Sequence, residues 1–147
     1  MDDGPRFFTI EEANELVSSL EIELGRIARA RAELAPLIEA LGGADASVAI
    51  LHDGEVAPPG RERAAERLRR LAAEITESVE RVNELGCLVK DVELGLVDFY
   101  AMQDGEPVFL CWQFGEPAVT HWHGVDEGYA GRKPIEGVSV RPPSFPN

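Results

Sequence analysis

The sequence predicts an α+β fold, in which a long antiparallel helical hairpin, coiled-coil-like, packs on a small three-stranded antiparallel meander sheet. Three observations lead there. Two segments carry apolar residues in heptad rows, one on each side of a Gly/Ala/Pro-rich connector. Beyond Lys90 the apolar period changes from about 3.5 to about 2, the signature of strands. Asp104-Gly105 lies between two alternating runs, which is a strong hairpin signal.

Thr9-Ile-Glu-Glu12 opens the first helix as a capping box, in which the Thr9 hydroxyl serves the amide of Glu12 and Glu12 reaches back. Glu11, Glu12 and Glu15 suit the positive end of the helix dipole. Val17, Leu24 and Ile38 form one apolar row, and Leu20, Ile27, Leu34 and Leu41 the other, interrupted by Arg31. Pro36 removes an intrahelical bond and is expected to kink or split this helix, and Gly42-Gly43 ends it. The second helix follows Pro58-Pro59-Gly60, with rows Leu68, Ile75, Val82, Val89 and Ala64, Leu71, Ser78, Leu85. In the antiparallel arrangement Arg31 falls near Leu71 and Glu74, and an acid such as Glu74 is expected to neutralise it. The connector 42–60 reads as a mobile loop with Val48-Ala-Ile-Leu51 tacked onto a neighbouring surface. The strands are expected at 96–101, 107–114 and 118–123, with Gly115-Glu-Pro117 as the second turn. From Ile135 onward the chain lacks periodicity and should be extended. The whole, 1–147, is read as one domain: hairpin 9–90, meander 94–123, and a Gly/Pro-rich loop and tail 124–147.

With 14 Lys and Arg against 27 Asp and Glu, the formal charge is −13, which argues against a nucleic-acid partner. Arg61, Arg63, Arg67, Arg69 and Arg70 form one basic cluster, read as a solvated face paired with Glu33 and Glu39. No apolar run is long enough to span a bilayer, and Met1-Asp-Asp-Gly lacks a basic signal-peptide start. The expected compartment is the cytoplasm, where Cys87 and Cys111 are thiols, and no membrane partner is expected.

Chemistry concentrates in His121-Trp-His-Gly-Val-Asp-Glu-Gly-Tyr-Ala-Gly-Arg-Lys-Pro134. A two-residue turn at Asp104-Gly105 sets Asp98 opposite Cys111 and Phe99 opposite Leu110. A turn of even length at Gly115-Glu116 then sets Cys111 opposite Thr120. On that register His121 and His123 share the core face with Val97, Phe99 and Leu110, apart from Asp98 and Cys111. A slip of one residue would reverse that separation. Two imidazoles two apart on a strand can ligate one metal, with Asp126 and Glu127 just beyond them. The same residues can equally be core-edge histidines bonded to backbone or to Asp126, and a polar turn paired with Arg132 or Lys133. Gly128, Gly131, Arg132 and Lys133 could make an anion or ligand pocket from backbone amides and cations. Cys111, between Leu110 and Trp112, reads as a small hydrophobe rather than a nucleophile. No phosphate loop, nucleophile elbow or dinucleotide fingerprint is present.

Phe8-Thr-Ile-Glu-Glu-Ala-Asn14, Val89-Lys-Asp91, Gly95-Leu-Val-Asp-Phe99, Leu110-Cys-Trp112, Gly115-Glu116, Trp122-His123, Asp126, Gly128 and Ala130-Gly-Arg132 together resemble an uncharacterised bacterial family, catalogued as domain of unknown function 2203. The resemblance covers the chain up to about Pro134. It implies an aromatic residue where this chain has His121, and it implies no activity, cofactor or partner. Two functions follow from the residues. One is a cytoplasmic, non-enzymatic interaction or regulatory module acting as a homodimer, engaging a protein or a small anion. The other is a metal-binding protein or metal-dependent hydrolase holding a divalent transition metal at His121, His123, Asp126 and Glu127.

Overall fold

A computed structural model describes residues 4–135 of the chain. The fold is α+β, with four helices and an antiparallel sheet of five strands among the described residues. The helices are α1 (Ile10–Glu15), α2 (Val17–Ala40), α3 (Ala44–Asp53) and α4 (Glu62–Glu84). The strands are β1 (Leu88–Asp91), β2 (Leu96–Gln103), β3 (Glu106–Gln113), β4 (His121–Gly124) and β5 (Lys133–Pro134), paired in chain order. Among the described residues no single helix is long and apolar enough to cross a membrane. The chain divides into two compact units, Arg26–Val79 and the remainder.

In the unit Arg26–Val79, Leu41, Ile50, Ala65 and Leu68 form a buried cluster. Leu34, Ile38, Ala57 and Ala64 pack against it. The connector 42–60 is therefore not a loop throughout. Ala44–Asp53 is a helix whose Ser47 and Ile50 are buried. Gly54 takes the left-handed conformation (φ 68°) that ends a helix, so Asp53-Gly54 is a C-terminal stop rather than a hairpin-like turn. Helix α2 runs through Pro36 as a single element. Arg67 donates to Glu33 at 2.6 Å, as the basic-cluster reading requires. Both side chains are near 40% exposed, so solvent screens the pair and it contributes little.

The other unit holds the sheet and the first helical turns. Thr9 caps α1: its hydroxyl accepts from the Glu12 amide at 2.8 Å, and its own amide donates to Glu12 at 2.9 Å. Phe8 donates to the Tyr100 carbonyl and packs its ring edge-on against Phe99 at 5.1 Å. Val97, Phe99, Ala101, Val108, Leu110 and Trp112 alternate along β2 and β3 and are all buried, the core face that alternation predicts. The ladder between β2 and β3 sets Asp98 opposite Cys111 and Phe99 opposite Leu110, as expected from the Asp104-Gly105 turn.

Two features of the sheet differ from the sequence reading. There are five strands, not three: Leu88–Asp91 leaves the helix and pairs with β2, and Lys133–Pro134 adds to β4. Val89 falls on a heptad row by sequence yet lies in β1, because a β-branched residue fits a buried helix position and a strand equally well. The second difference is register. Cys111 pairs with His121, not Thr120, and Phe109 with His123. The chain leaves the ladder after Gln113 and returns only at His121, so alternation does not carry across the gap. The extended tail expected after Ile135 lies outside the described residues.

Candidate functional site

The register places His121 and His123 on the face carrying Asp98, Tyr100, Phe109 and Cys111, opposite the Val97–Phe99–Leu110 core. The separation of the histidines from Asp98 and Cys111 that the sequence suggested is thereby reversed. The segment after β4 turns through a 3-10 helix at Tyr129–Gly131. Its Glu127, Gly128 and Tyr129 join Leu94, Leu96 and the sheet in lining a cavity of about 240 Å³. Asp98, Cys111 and His123 line the same cavity, yet are only 2%, 1% and 3% exposed.

The three side chains converge. One ligand-type atom from each (a carboxylate oxygen, the thiol sulfur and an imidazole nitrogen) lies within 4.8 Å of the other two. His123 Nε2 is 2.9 Å from Asp98 Oδ2, and His123 Nδ1 is 2.9 Å from the Gly124 carbonyl. A carbonyl can only accept, so Nδ1 carries a hydrogen. The hydrogen bond from Nε2 to Asp98 then requires one more proton, held between imidazole and carboxylate. Among the described residues Asp98 Oδ1 is buried with no hydrogen-bond partner. Burial raises the Asp98 pKa above the ordinary carboxylate value, against the opposing pull of His123, Cys111 and Lys90. The Lys90 ammonium stands 3.9 Å from Asp98 Oδ2 and 4.3 Å from the Phe109 ring centre.

Burial, reinforced by the Asp98 carboxylate, pushes the Cys111 thiol up to about 12, while Arg132 pulls the other way. Both imidazole nitrogens are engaged elsewhere, and the base beside Sγ, the Asp98 carboxylate, holds the proton on sulfur rather than drawing it off. These conditions are the reverse of those that make a cysteine nucleophilic. They suit a thiol whose proton is displaced only by a metal ion. The set is also apt in type, since thiolate and imidazole select zinc-like ions over magnesium or calcium. The contact from Nδ1 to a backbone carbonyl is the arrangement that fixes a ligating histidine with Nε2 free to bind.

The chain's relatives bear on this arrangement. Residues 6–135 match the family described as Uncharacterized conserved protein (DUF2203). The chain belongs to that family. No curated protein and no solved structure matches it. Asp98, Cys111 and His123 all fall inside the segments by which the sequence resembles DUF2203.

Of the other residues the sequence nominated, His121 shares the face but turns Nδ1 to the Thr120 hydroxyl at 2.9 Å, with Glu116 at 3.9 Å. Asp126 is exposed. Glu127 accepts from the Gly124 amide and from Lys133 Nζ, each at 2.8 Å, and Lys133 holds its pKa below the usual glutamate value. Among the described residues these three do not join the cluster around His123. Gly128 lines the cavity, and Gly131 backs onto Glu127, whose Cβ would lie 2.8 Å from any added side chain. Arg132 binds both oxygens of Glu116 and the Cys111 carbonyl. Lys133 also lies over the Trp122 ring. The two cations of the nominated anion pocket are thus each matched to an acid. Sequence reasoning left out Asp98, Cys111 and Lys90. The correct pairing of Asp98 with Cys111 was available as a signal, and only the parity of the following loop hid His123 from it.

Proposed function

We propose that the chain is a metal-binding protein that holds one divalent transition metal ion, zinc by preference, through Asp98, Cys111 and His123. The observation that carries the reading is the convergence of three unlike ligand atoms within 4.8 Å in a buried pocket, one carboxylate oxygen of which has no partner. A buried acid left half-satisfied calls for an explanation, and a cation facing the cavity supplies one. Zinc bond lengths imply ligand-to-ligand separations of about 3.3–3.6 Å in a tetrahedral set. The 2.9 Å contact between His123 and Asp98 therefore opens by a few tenths of an ångström as the ion replaces the shared proton. Binding is the reading, rather than hydrolysis. A hydrolase would need a base facing the ion, and Glu127, which also lines the cavity, is tied to Lys133 and the Gly124 amide. The reading places the protein in a reducing cytoplasm, where Cys111 remains a thiol, and takes it to act as a homodimer.

Elemental analysis of protein purified without an affinity tag tests this. One zinc per chain is expected, falling below a tenth in Cys111→Ser and His123→Ala. Asp98→Asn separates binding from folding: the amide can still donate to His123, so urea stability should stay within about 1.5 kcal/mol while the metal is lost. Wild-type protein that retains no stoichiometric metal after incubation with zinc would sink the reading.

A further inference from the structure

Three protein ligands would leave a tetrahedral ion one position short, and all three side chains line the cavity. A cavity of about 240 Å³ has room for roughly eight waters at about 30 Å³ each, or for a ligand of several heavy atoms. Its charge balance selects the ligand. A divalent ion with the Asp98 carboxylate and the Cys111 thiolate is neutral, and His123 adds nothing when it binds through Nε2. Lys90, on the cavity wall 3.9 Å from Asp98 Oδ2, then places a positive charge beside the ion. Two further acids line the cavity. Asp91 Oδ1 accepts the Leu94 amide at 2.9 Å, and Glu127 is neutralised by Lys133. Lys90 is also fixed in direction by the Phe109 ring beneath it, so it is held at the mouth rather than swinging free.

Resting on the metal reading above, we infer that the site captures a small oxyanion, one oxygen on the open position of the ion and another on the Lys90 ammonium. Carboxylate and phosphate share this chemistry, and both fit the space. The test uses the full chain loaded with cobalt(II), whose visible absorption reports its coordination, titrated separately with acetate and with inorganic phosphate. A saturable spectral change with either anion is expected, and the one that responds names the class. In Lys90→Gln the apparent affinity should fall about tenfold, the size of one charge-assisted hydrogen bond. A cobalt form with sulfur-to-metal charge transfer that ignores both anions overturns the oxyanion inference and leaves the metal site standing. So does an affinity unchanged in Lys90→Gln. Failure to take up cobalt at all overturns the metal reading itself.

Discussion

Cys111 and His123 show how identity and environment divide the work at the scale of single residues. A cysteine between Leu110 and Trp112 is a hydrophobe by sequence, and its burial agrees. What sets it apart is its surroundings, burial first and the Asp98 carboxylate opposite second, which hold the proton on sulfur. The sign of the resulting pH dependence is fixed. In the unfolded chain the thiol titrates near its ordinary value of 9.0, and in the folded protein near about 12. A raised folded pKa gives a stability contribution that is whole below about 9 and lost as the pH climbs towards 12. Cys87, raised by burial to about 11, adds a smaller loss over the same alkaline range. Metal-free protein should therefore lose urea stability between about pH 8 and about pH 10.5, and Cys111→Ala should lose less. An identical alkaline loss in wild type and Cys111→Ala would remove Cys111 from this account.

The site's shape is decided at the scale of the element. The turn between β1 and β2 forms one wall of the cavity, through Asp91 and Leu94. Gly95 closes that turn with φ at +71°, and a side chain there would meet the Phe114 Cβ at 2.7 Å. Gly105, in the next turn, has a similar φ of +83° but nothing within 4 Å. Gly105→Ala should cost only the backbone penalty, about 1 kcal/mol. Gly95→Ala adds the clash and should cost about 2–3 kcal/mol. Denaturant midpoints of the two variants provide the comparison, and equal losses would show that Phe114 gives way freely. The helices were legible for a local reason: capping chemistry and i, i+3, i+4 burial need only neighbours in sequence, and Thr9, Leu20, Leu24 and Leu68 behave accordingly. Helix α3 was not, since its ten residues bury only Ser47 and Ile50 and show too little of a stripe.

For the whole molecule, the formal charge of −13 opposes any association of copies. The homodimer expected from the heptad rows must overcome it. Helix α3 leaves Val48 at 52% and Leu51 at 37% exposed, apolar surface that such a contact could cover. Screening shortens the reach of the repulsion to about 10 Å at 0.1 M salt. Light scattering at micromolar concentration should therefore give a dimer whose fraction rises with salt between about 0.01 M and about 0.2 M. A monomer mass throughout that range would discard the expectation.

The sequence by itself determined the Thr9 cap, the apolar rows of the two long helices, the Asp104-Gly105 hairpin, and the placement of Asp98 across from Cys111, because each depends on spacing over a few residues. Only the tertiary structure decided that His123 reaches those two. The segment 114–120 that sets its parity is pinned from far away. Val119 donates to Asn14, 105 residues earlier, and Glu116 is clamped by Arg132 on one side and by the Gln113 amide on the other. Those distant bonds fix how many residues stand out of the ladder, and an odd or even count sends an imidazole to one face or the other.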